Sequence, residues 1–480
     1  ATYFLPGLIY ASESSYAVLV ITTDISVASY GKYPLTQVDQ EALMRPLTKW
    51  NTVLRRADHI PRMVREAFRA MTTGRSGAAH IGLPYDIQYD PVDSDDIWSD
   101  PLHHTFPAYR TGPDQGAVEA AIDAILSAKK PIIICGGGVV IAGAEHELER
   151  LATRLNIPVA TSISGQGSVA ETHPNALGVV GSNGGTDQTW EVMAAADLVV
   201  FMGCRAGSTT TSRWEAPKAG TRVVHFDNDP MVIGANYRTE VGVVGDLLLS
   251  LTEVNAVLDK RGQAETDFGG ARAVAEAKRR KFEIFDGHAK SNESPIRPER
   301  VIAALSETLP DDATIVSDPG TTCPYFSSYY QLPRAGRHFI TNRAHGALGY
   351  SLSAALGARE ILSTDADLEI EALLGSRARG VLPRAVLLKL LPRLDGLDVR
   401  LDDKKVSVGR GHPGMRAVVE DSASGVRVRL EQSPEVQTLY RNGALVVGGE
   451  LMPLLEPGLD GARLRALREG MLFEKERLGD

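Results

Sequence analysis

The sequence predicts an α/β protein built from parallel-sheet domains with helices on both faces of each sheet. The first observation is a series of short apolar or β-branched runs that end in Gly, Pro, Asp or Ser: AVLVIT, AAHIGLP, PIIICGGG, PVATSI, DLVVFMGC, RVVHFDND and TIVSDPG. The second is that amphipathic segments such as EHELERLATRLN and IPRMVREAFRAMTT lie between many of them. Such alternation is typical of three-layer parallel α/β domains. The third is the length of 480 residues, which exceeds one compact core and favours about three domains.

The composition is ordinary for a soluble globular chain, with 43% hydrophobic and 23% charged residues. The net charge of -9 does not favour a nucleic-acid-binding surface over the whole molecule. No apolar run reaches the roughly 18 residues that a membrane-spanning helix needs, so no membrane association is expected. Cys135, Cys204 and Cys323 lie far apart without a CxxC spacing. This pattern excludes a disulfide framework and a standard zinc site, and it is typical of a cytoplasmic protein.

The amino-terminal stretch indicates a helix over about residues 5–14, followed by the buried strand YAVLVIT. It has neither an initial Met nor a basic segment, so it is not a signal peptide. It is typical of the middle of a domain, and we expect this first strand to lack its sheet neighbours. Two polar stretches, residues 89–113 and 261–298, are interpreted as linkers. They predict α/β domains at residues 1–92, 116–270 and 298–360.

The pattern changes at about residue 361, where Leu and Arg become frequent and the alternation of strands and helices stops. LEIEALLGSRARGVLPRAVLLKLLPRL predicts two short amphipathic helices divided near residues 380–383. LDVRLDDKKVSVG, AVVEDSASGVRVRLE and QTLYRNGALVVGG predict hairpins, the last through Asn442-Gly443 in a type I′ turn. Residues 361–480 are therefore expected to form a separate α+β segment with antiparallel pairing.

Two strand ends carry residues that could contact a ligand. One strand ends in Gly136-Gly137-Gly138, and a helix is expected to begin a few residues later. Glycines there let backbone N–H groups approach a phosphate, but a turn that simply bends also needs glycine. Asp227 and Asp229 follow another strand, where a carboxylate either accepts a hydrogen bond from a ribose or caps the next turn. Both alternatives stay open at each place.

Several stretches follow one another in a specific order: YGKYPLTQVDQEALMRPLTKWN, GAAHIGLPYDIQYD, KPIIICGGG, AADLVVFMGCR, VVHFDNDP, IVSDPGTTC and HGALGYSLSAALGA. In this order they resemble the thiamine-diphosphate-dependent enzymes of the acetolactate synthase type, over residues 1–360. The resemblance implies an incomplete pyrimidine-binding domain, a complete central Rossmann-like domain and an incomplete diphosphate-binding domain. It also implies thiamine diphosphate and Mg²⁺ as cofactors, a small 2-oxo acid as substrate, and a homodimer or tetramer, because the family binds its cofactor between two chains.

By this resemblance the cofactor contacts two loops, which contain Asp318, Gly320 and Thr321 and then His345, Gly346, Ala347 and Leu348. The family places a bulky apolar residue at the position of Leu348, where it wedges the cofactor into a bent shape. The alternative is a core leucine beside a helix N-terminus. Asp318 and Gly320 lie where the family contacts the diphosphate, although the same residues also suit an ordinary turn.

The sequence departs from the family in several places. Leu35-Thr36-Gln37 replaces a Phe-Gln-Glu motif, and CRAGSTTTSRW replaces an Arg-rich stretch that holds flavin, so neither acetolactate synthesis nor FAD binding is favoured. The family's essential Glu lies upstream of the matching stretch, and Gly-Asp-Gly, its magnesium motif, does not follow residue 360. Asp365 and Asp367 are expected to cap a helix rather than bind a metal. We therefore assign no catalytic and no metal-ligating residue.

Three hypotheses follow. The first is a fragment of a thiamine-diphosphate-dependent 2-oxo acid decarboxylase or carboligase that is inactive alone. The second is a non-catalytic protein that binds a nucleotide or a partner. The third is a chimeric reading frame joined near residue 361, because the first and third domains are expected to be incomplete. After that point, MRAVVEDSASGVRVRLE and YRNGALVVGGELMPLLEPGL faintly resemble the region ahead of the motor in bacterial Swi/Snf-type helicase-like proteins.

Overall fold

The computed structural model describes residues 2–92, 96–263, 266–362, 397–401, 405–410, 415–422 and 425–432. The chain divides into two compact units, Ala1–Ser353 and Ala354–Asp480. Among the described residues, the strands of the first unit form three separate sheets, and every strand pair in them is parallel. The predicted α/β class with parallel sheets is confirmed.

The first sheet has the strand order β1-β3-β2. Its elements are α1 (Leu5–Glu13), β1 (Leu19–Asp24), α2 (Gln40–Met44), β2 (Trp50–Val53), α3 (Ile60–Thr72) and β3 (Ala79–Pro84). The expectation of a buried first strand without neighbours is wrong, because β1 pairs with β3 along its whole length. It is an edge strand with one open side, which leaves Ile21 60% exposed.

The central sheet has six strands in the order β6-β5-β4-β7-β8-β9. Its strands are β4 (Pro131–Cys135), β5 (Val159–Thr161), β6 (Ala176–Val179), β7 (Leu198–Met202), β8 (Arg222–Asp227) and β9 (Val241–Val244). Its helices are α4 (Gln115–Leu126), α5 (Gly137–Ala142), α6 (Glu145–Leu155), α7 (Asp187–Ala194), α8 (Leu247–Lys260) and α9 (Gly270–Ala289). Ile133 in β4 lies in a core cluster with residues of α4, α6 and α8. The next residue, Ile134, lies in a different core cluster with residues of α7 and α9. Helices therefore cover both faces, as predicted.

The predicted linker at residues 261–298 is wrong over most of its length, because it contains the 20-residue helix α9. The stretch is polar on one side only. Its buried residues include Val274, Ala277, Lys281 and Phe285, which are three or four positions apart and so lie on one helical face. The many charged residues on the exposed face of this amphipathic helix account for its interpretation as a linker.

The third sheet has two parallel strands, in which Ile315 pairs with Phe339 and Ser317 pairs with Thr341. Its elements are α10 (Pro298–Thr308), β10 (Ile315–Ser317), α11 (Thr322–Tyr329), β11 (Phe339–Thr341) and α12 (Tyr350–Leu362). Because β10 and β11 are parallel, the turn after Ser317 and the loop after Thr341 begin at the same edge of the sheet.

The second unit contains a four-stranded antiparallel sheet in the order β12-β13-β14-β15. These strands are β12 (Leu397–Leu401), β13 (Lys405–Arg410), β14 (Met415–Ser422) and β15 (Gly425–Gln432). The first two predicted hairpins are confirmed, since β12 pairs with β13 and β14 with β15. The predicted helices before residue 396, Asp365 and Asp367, and the Asn442-Gly443 turn lie outside the described residues.

Backbone close packing fixes the ends of β4 and β7. A Cβ on Gly136 would lie 2.6 Å from Cys204 Cα, and one on Gly138 would lie 2.7 Å from Gly203 Cα. Gly203 itself has a φ of +55°, which disfavours any side chain. The two strand ends can therefore meet only through glycine.

Gly136→Ala is expected to lower the free energy of unfolding by about 1–3 kcal/mol, because the added methyl group overpacks this contact. Gly207→Ala is the control, since a Cβ there meets nothing within 4 Å. Urea unfolding followed by circular dichroism measures both variants. Equal stability of the two variants would contradict the close approach.

Candidate functional site

A cavity of about 330 Å³ lies at the carboxyl ends of the central strands. In the observed strand order the chain leaves β4 toward β5 on one side, while β7 pairs on the other side. Ligands of open α/β sheets bind at such a switch point. The cavity is lined by residues from three parts of the first unit, including residues 13–15, 74–76, 136–138, 162–164, 203–210 and 343–344.

Gly136, Gly137 and Gly138 line this cavity, but two of their amides are engaged within the protein. The amide of Gly136 donates to the Met202 carbonyl at 2.9 Å, and that of Gly138 donates to the Gly203 carbonyl at 3.1 Å. Contrary to the sequence expectation, the helix α5 begins at Gly137 itself. Close packing against β7 thus accounts for Gly136 and Gly138 without a phosphate.

Two of the three arginines that line the cavity have carboxylate partners. Arg75 Nη1 lies 3.6 Å from Asp229 Oδ2, and Arg205 Nη1 lies 3.0 Å from Glu13 Oε2. Arg343 is a third arginine on the wall. Sequence reasoning missed all three, because single arginines in separate loops form no local motif; only the fold brings them to one cavity.

Asp227 serves as a turn residue at the cavity wall. Its Oδ1 accepts from the Asp229 amide at 2.9 Å, and Asp229 Oδ1 accepts from the Met231 amide at 3.0 Å. The observed contacts therefore match the capping alternative at both residues. Burial raises the pKa of Asp227 to about 6, because the charged carboxylate loses solvation.

The stretch CRAGSTTTSRW forms a strained loop beside the cavity. Ser212, Arg213 and Trp214 follow one another with φ values of +50°, +59° and +66°. Such left-handed conformations are unfavourable for residues other than glycine. His225, whose pKa burial lowers to about 4, is neutral at pH 7, so its Nε2–H can donate to the Cys204 carbonyl at 2.9 Å. This bond fixes the start of the loop.

The two loops that the family resemblance implicates lie together at the end of the third sheet. Asp318 Oδ2 accepts from the Gly349 amide at 2.8 Å, and its Oδ1 accepts from the Ser351 amide at 2.8 Å. These backbone hydrogen bonds hold the pKa of Asp318 below its ordinary value. Asp318 thus connects the turn after β10 to the N-terminus of α12.

Leu348 lies at the tip of the second loop and is 74% exposed. The alternative of a core leucine is therefore wrong. A Cβ on Gly320 would approach Leu348 Cδ2 at 3.3 Å, so these two predicted residues are neighbours. The loop around Leu348 depends on positive φ values at Gly346 and Gly349, +82° and +79°.

The remaining predicted residues lie on the same two loops. His345 and Thr321 are exposed, and Ala347 is half-buried. Thr321 precedes α11 and makes no side-chain capping bond. Arg343 and Ala344, directly before His345, line the central cavity, so one chain segment contributes to both places.

The described residues fit only part of a thiamine diphosphate site. Leu348 offers an exposed apolar surface, whereas both oxygens of Asp318 already accept amide hydrogens. Within the described ranges, no group of three or more His, Cys, Asp or Glu side chains could hold a metal ion.

No helix in the described part of the chain is long and apolar enough to cross a membrane.

Asp227→Asn is expected to stabilise the protein at pH 8. The folded pKa of about 6 exceeds the unfolded value of about 3.9, so the charged carboxylate destabilises the fold fully above pH 6 and progressively less as the pH falls to 4. The two-unit difference corresponds to an order of 3 kcal/mol. Thermal unfolding between pH 4 and 8 measures this, with the exposed Asp312→Asn as the control. An unchanged pH slope in Asp227→Asn would contradict it.

Comparison with known proteins reaches the same family as the sequence motifs. Residues 118–254 match the family described as "Thiamine pyrophosphate enzyme, central domain". A probable acetolactate synthase large subunit of Methanocaldococcus jannaschii is 30% identical over 369 residues, which cover 75% of this chain and 61% of that protein. The acetolactate synthase large subunit of Buchnera aphidicola is 28% identical over 359 residues, 75% of this chain and 62% of that protein.

A glyoxylate carboligase of Escherichia coli O157:H7 is 27% identical over 388 residues, which cover 79% of this chain and 64% of that protein. The chain thus spans about three-fifths of the length of the relatives that it matches. The central cavity and the Leu348 loop both lie within the first unit, and the matched residues 118–254 contain all six strands of the central sheet. Residues 118–254 thus resemble the central domain of thiamine pyrophosphate enzymes, and about three-quarters of the chain is similar to part of the acetolactate synthase large subunits.

Proposed function

We propose that this chain takes part in the reaction of a thiamine-diphosphate-dependent 2-oxo acid decarboxylase or carboligase. We further propose that the chain alone has negligible turnover. The observation that carries the proposal is the exposed Leu348 on a glycine-flanked loop, the residue to which the family resemblance assigns the apolar wedge. Thiamine diphosphate supplies an electron sink for the carbanion formed when a 2-oxo acid loses CO2.

The role proposed for this chain's own residues is to orient the cofactor. Most of the Leu348 side chain is exposed to water, so covering it with a thiazolium ring would be favourable. Gly320 leaves room beside Leu348, because a side chain there would crowd its Cδ2. Thr321 and His345 are exposed on the same loops and could contact the diphosphate.

Negligible turnover is proposed because no group of side chains that could hold a metal ion occurs among the described residues. No Gly-Asp-Gly sequence occurs in the 480 residues. Mg²⁺ needs oxygen ligands in near-octahedral geometry, and in this class it also needs phosphate oxygens held in place. Asp318 is the acidic residue in the two loops, residues 318–321 and 342–349, and both of its oxygens are engaged by backbone amides.

The family plan further supports a homodimer or tetramer in the cytoplasm, and both remain part of the proposal. All three cysteines are free and buried, as is usual in a reducing compartment. A small 2-oxo acid is the proposed substrate class of the complete enzyme, and no residue described here selects among its members.

A second candidate function is nucleotide binding in the central cavity. Its position at the switch point favours this, as does a volume within the usual range of ligand pockets. Arg75, Arg205 and Arg343 on its wall could contact phosphates. The alternative is that the central domain is a structural spacer.

The purified chain, supplied with pyruvate, thiamine diphosphate and Mg²⁺, is expected to release no CO2 above the rate without protein. It is nonetheless expected to bind thiamine diphosphate weakly, and Leu348→Ala should weaken that binding about tenfold, because a buried leucine contributes about 1.5 kcal/mol or more. Calorimetry measures the affinity, and coupled CO2 detection measures the turnover.

Leu352→Ala is the matched control, since Leu352 is also 74% exposed and lies on the adjoining helix. Its affinity should equal that of the wild type. Clear pyruvate-dependent turnover would overturn the inactivity proposal, and equal effects of the two substitutions would overturn the role of Leu348.

ADP is expected to quench tryptophan fluorescence saturably if the central cavity binds nucleotides. Trp214 is 55% exposed on the strained loop, and its amide donates to Thr211 Oγ1 at 3.1 Å, next to cavity residues. Trp214→Phe should abolish the signal, whereas Trp190→Phe should retain it. The absence of any response in the wild type would favour the spacer alternative.

A further inference from the structure

We propose that Asp318 is a positioning residue that holds Leu348 in the orientation in which it meets the cofactor. The inference rests on the proposed function of Leu348, but the bond network that carries it can be tested separately. Asp318 itself need not touch the cofactor or a metal ion. Asp318 would act through the backbone amides of Gly349 and Ser351, which follow Leu348 in the chain.

The Leu348 loop has little packing to fix it. Leu348 is 74% exposed, and Gly346 and Gly349 on either side occupy the left-handed region of backbone space. Added Cβ atoms at these two glycines would meet nothing within 4 Å, so no neighbouring atoms confine them. A loop of this kind stays in one conformation only if hydrogen bonds hold it.

Hydrogen bonds tie the loop on both sides of Leu348. On the first side, the Gly346 amide donates to the Asn342 carbonyl at 2.8 Å, a local bond within the loop. On the second side, the Gly349 and Ser351 amides each donate to one oxygen of Asp318 at 2.8 Å. The first bond closes the turn that directly follows β11, whereas Asp318 directly follows β10 and so connects the end of the loop beyond Leu348 to the neighbouring strand.

An ionised carboxylate suits this position better than any neutral side chain. It presents two acceptor oxygens to two donors, and both bonds are charge-assisted. The charge also lies at the N-terminus of the 13-residue helix α12, where the helix dipole favours it. An asparagine has one acceptor and one N–H₂ group, so one of the two amides would face another donor.

The first measurement is amide hydrogen exchange of residues 345–352 in the full chain without cofactor. The wild type should protect the amides of Gly349 and Ser351, and Asp318→Asn should raise their exchange rates about fivefold or more. Asp312→Asn, an exposed aspartate near the same strand, is the control and should leave them unchanged. Unchanged exchange rates in Asp318→Asn would overturn the proposal that Asp318 holds these two amides.

The second measurement is a double-mutant cycle on the affinity for thiamine diphosphate. If Asp318 acts through Leu348, Asp318→Asn should weaken binding three- to tenfold in the wild type and by less than twofold in Leu348→Ala. Equal losses in the two backgrounds would overturn the inference, because Asp318 would then act independently of Leu348. No loss in either background would overturn it as well.

The two experiments separate the inference from the proposed function. A wild type that binds no thiamine diphosphate contradicts the proposed function, while the exchange data still decide whether Asp318 holds the loop. If Asp318→Asn fails to fold, Ser351→Pro removes one of the two donors in the first turn of α12, where proline is tolerated. Ser351→Pro should raise the exchange rate of the Gly349 amide, and an unchanged rate would overturn the inference.

Discussion

The backbone contact between the ends of β4 and β7 determines where this molecule can hold a ligand. Gly136 and Gly138 let β4 turn directly into α5 while the Gly203 backbone passes against them. Once the strand ends meet in this way, the chain after Gly203 must leave the sheet sideways, and it does so as the strained loop of residues 204–214. That loop and the turn after β4 form part of the cavity wall, together with residues from the other two parts of the first unit. Glycine is therefore needed here for packing first, and any ligand uses space that the packing creates.

The regular part of the fold could be predicted because its signals are local. β4 and β7 are runs of consecutive apolar residues that stand out in the sequence, and the apolar residues of α3 and α6 repeat at the helical period. Strands such as β2 and β9 are only four residues long and half-exposed, so their pattern resembles that of a loop. The helix α9 was interpreted as a linker because its charged face outnumbers its buried one. In these elements tertiary pairing, rather than local composition, decides the structure.

The site could be predicted only where the order of motifs carried it. Leu348, Asp318 and Gly320 were assigned by family resemblance, and the structure brings them together because β10 and β11 are parallel neighbours. The partner of Asp318 could not be read from the sequence, since Gly349 and Ser351 lie 31 and 33 residues further along the chain. The same holds for Arg75 and Arg205, whose approach to one cavity follows from how the first sheet and the central sheet pack.

Hydrogen bonds join the turn after β10 to the loop after β11 at two places. Arg343 Nη1 donates to the Pro319 carbonyl at 2.9 Å, and Asp318 accepts from Gly349 and Ser351, so each segment binds the other near both of its ends. Arg343 also lines the central cavity. Arg343 therefore contacts both the wall of the central cavity and the turn that carries Asp318, although the cavity and the turn belong to different sheets.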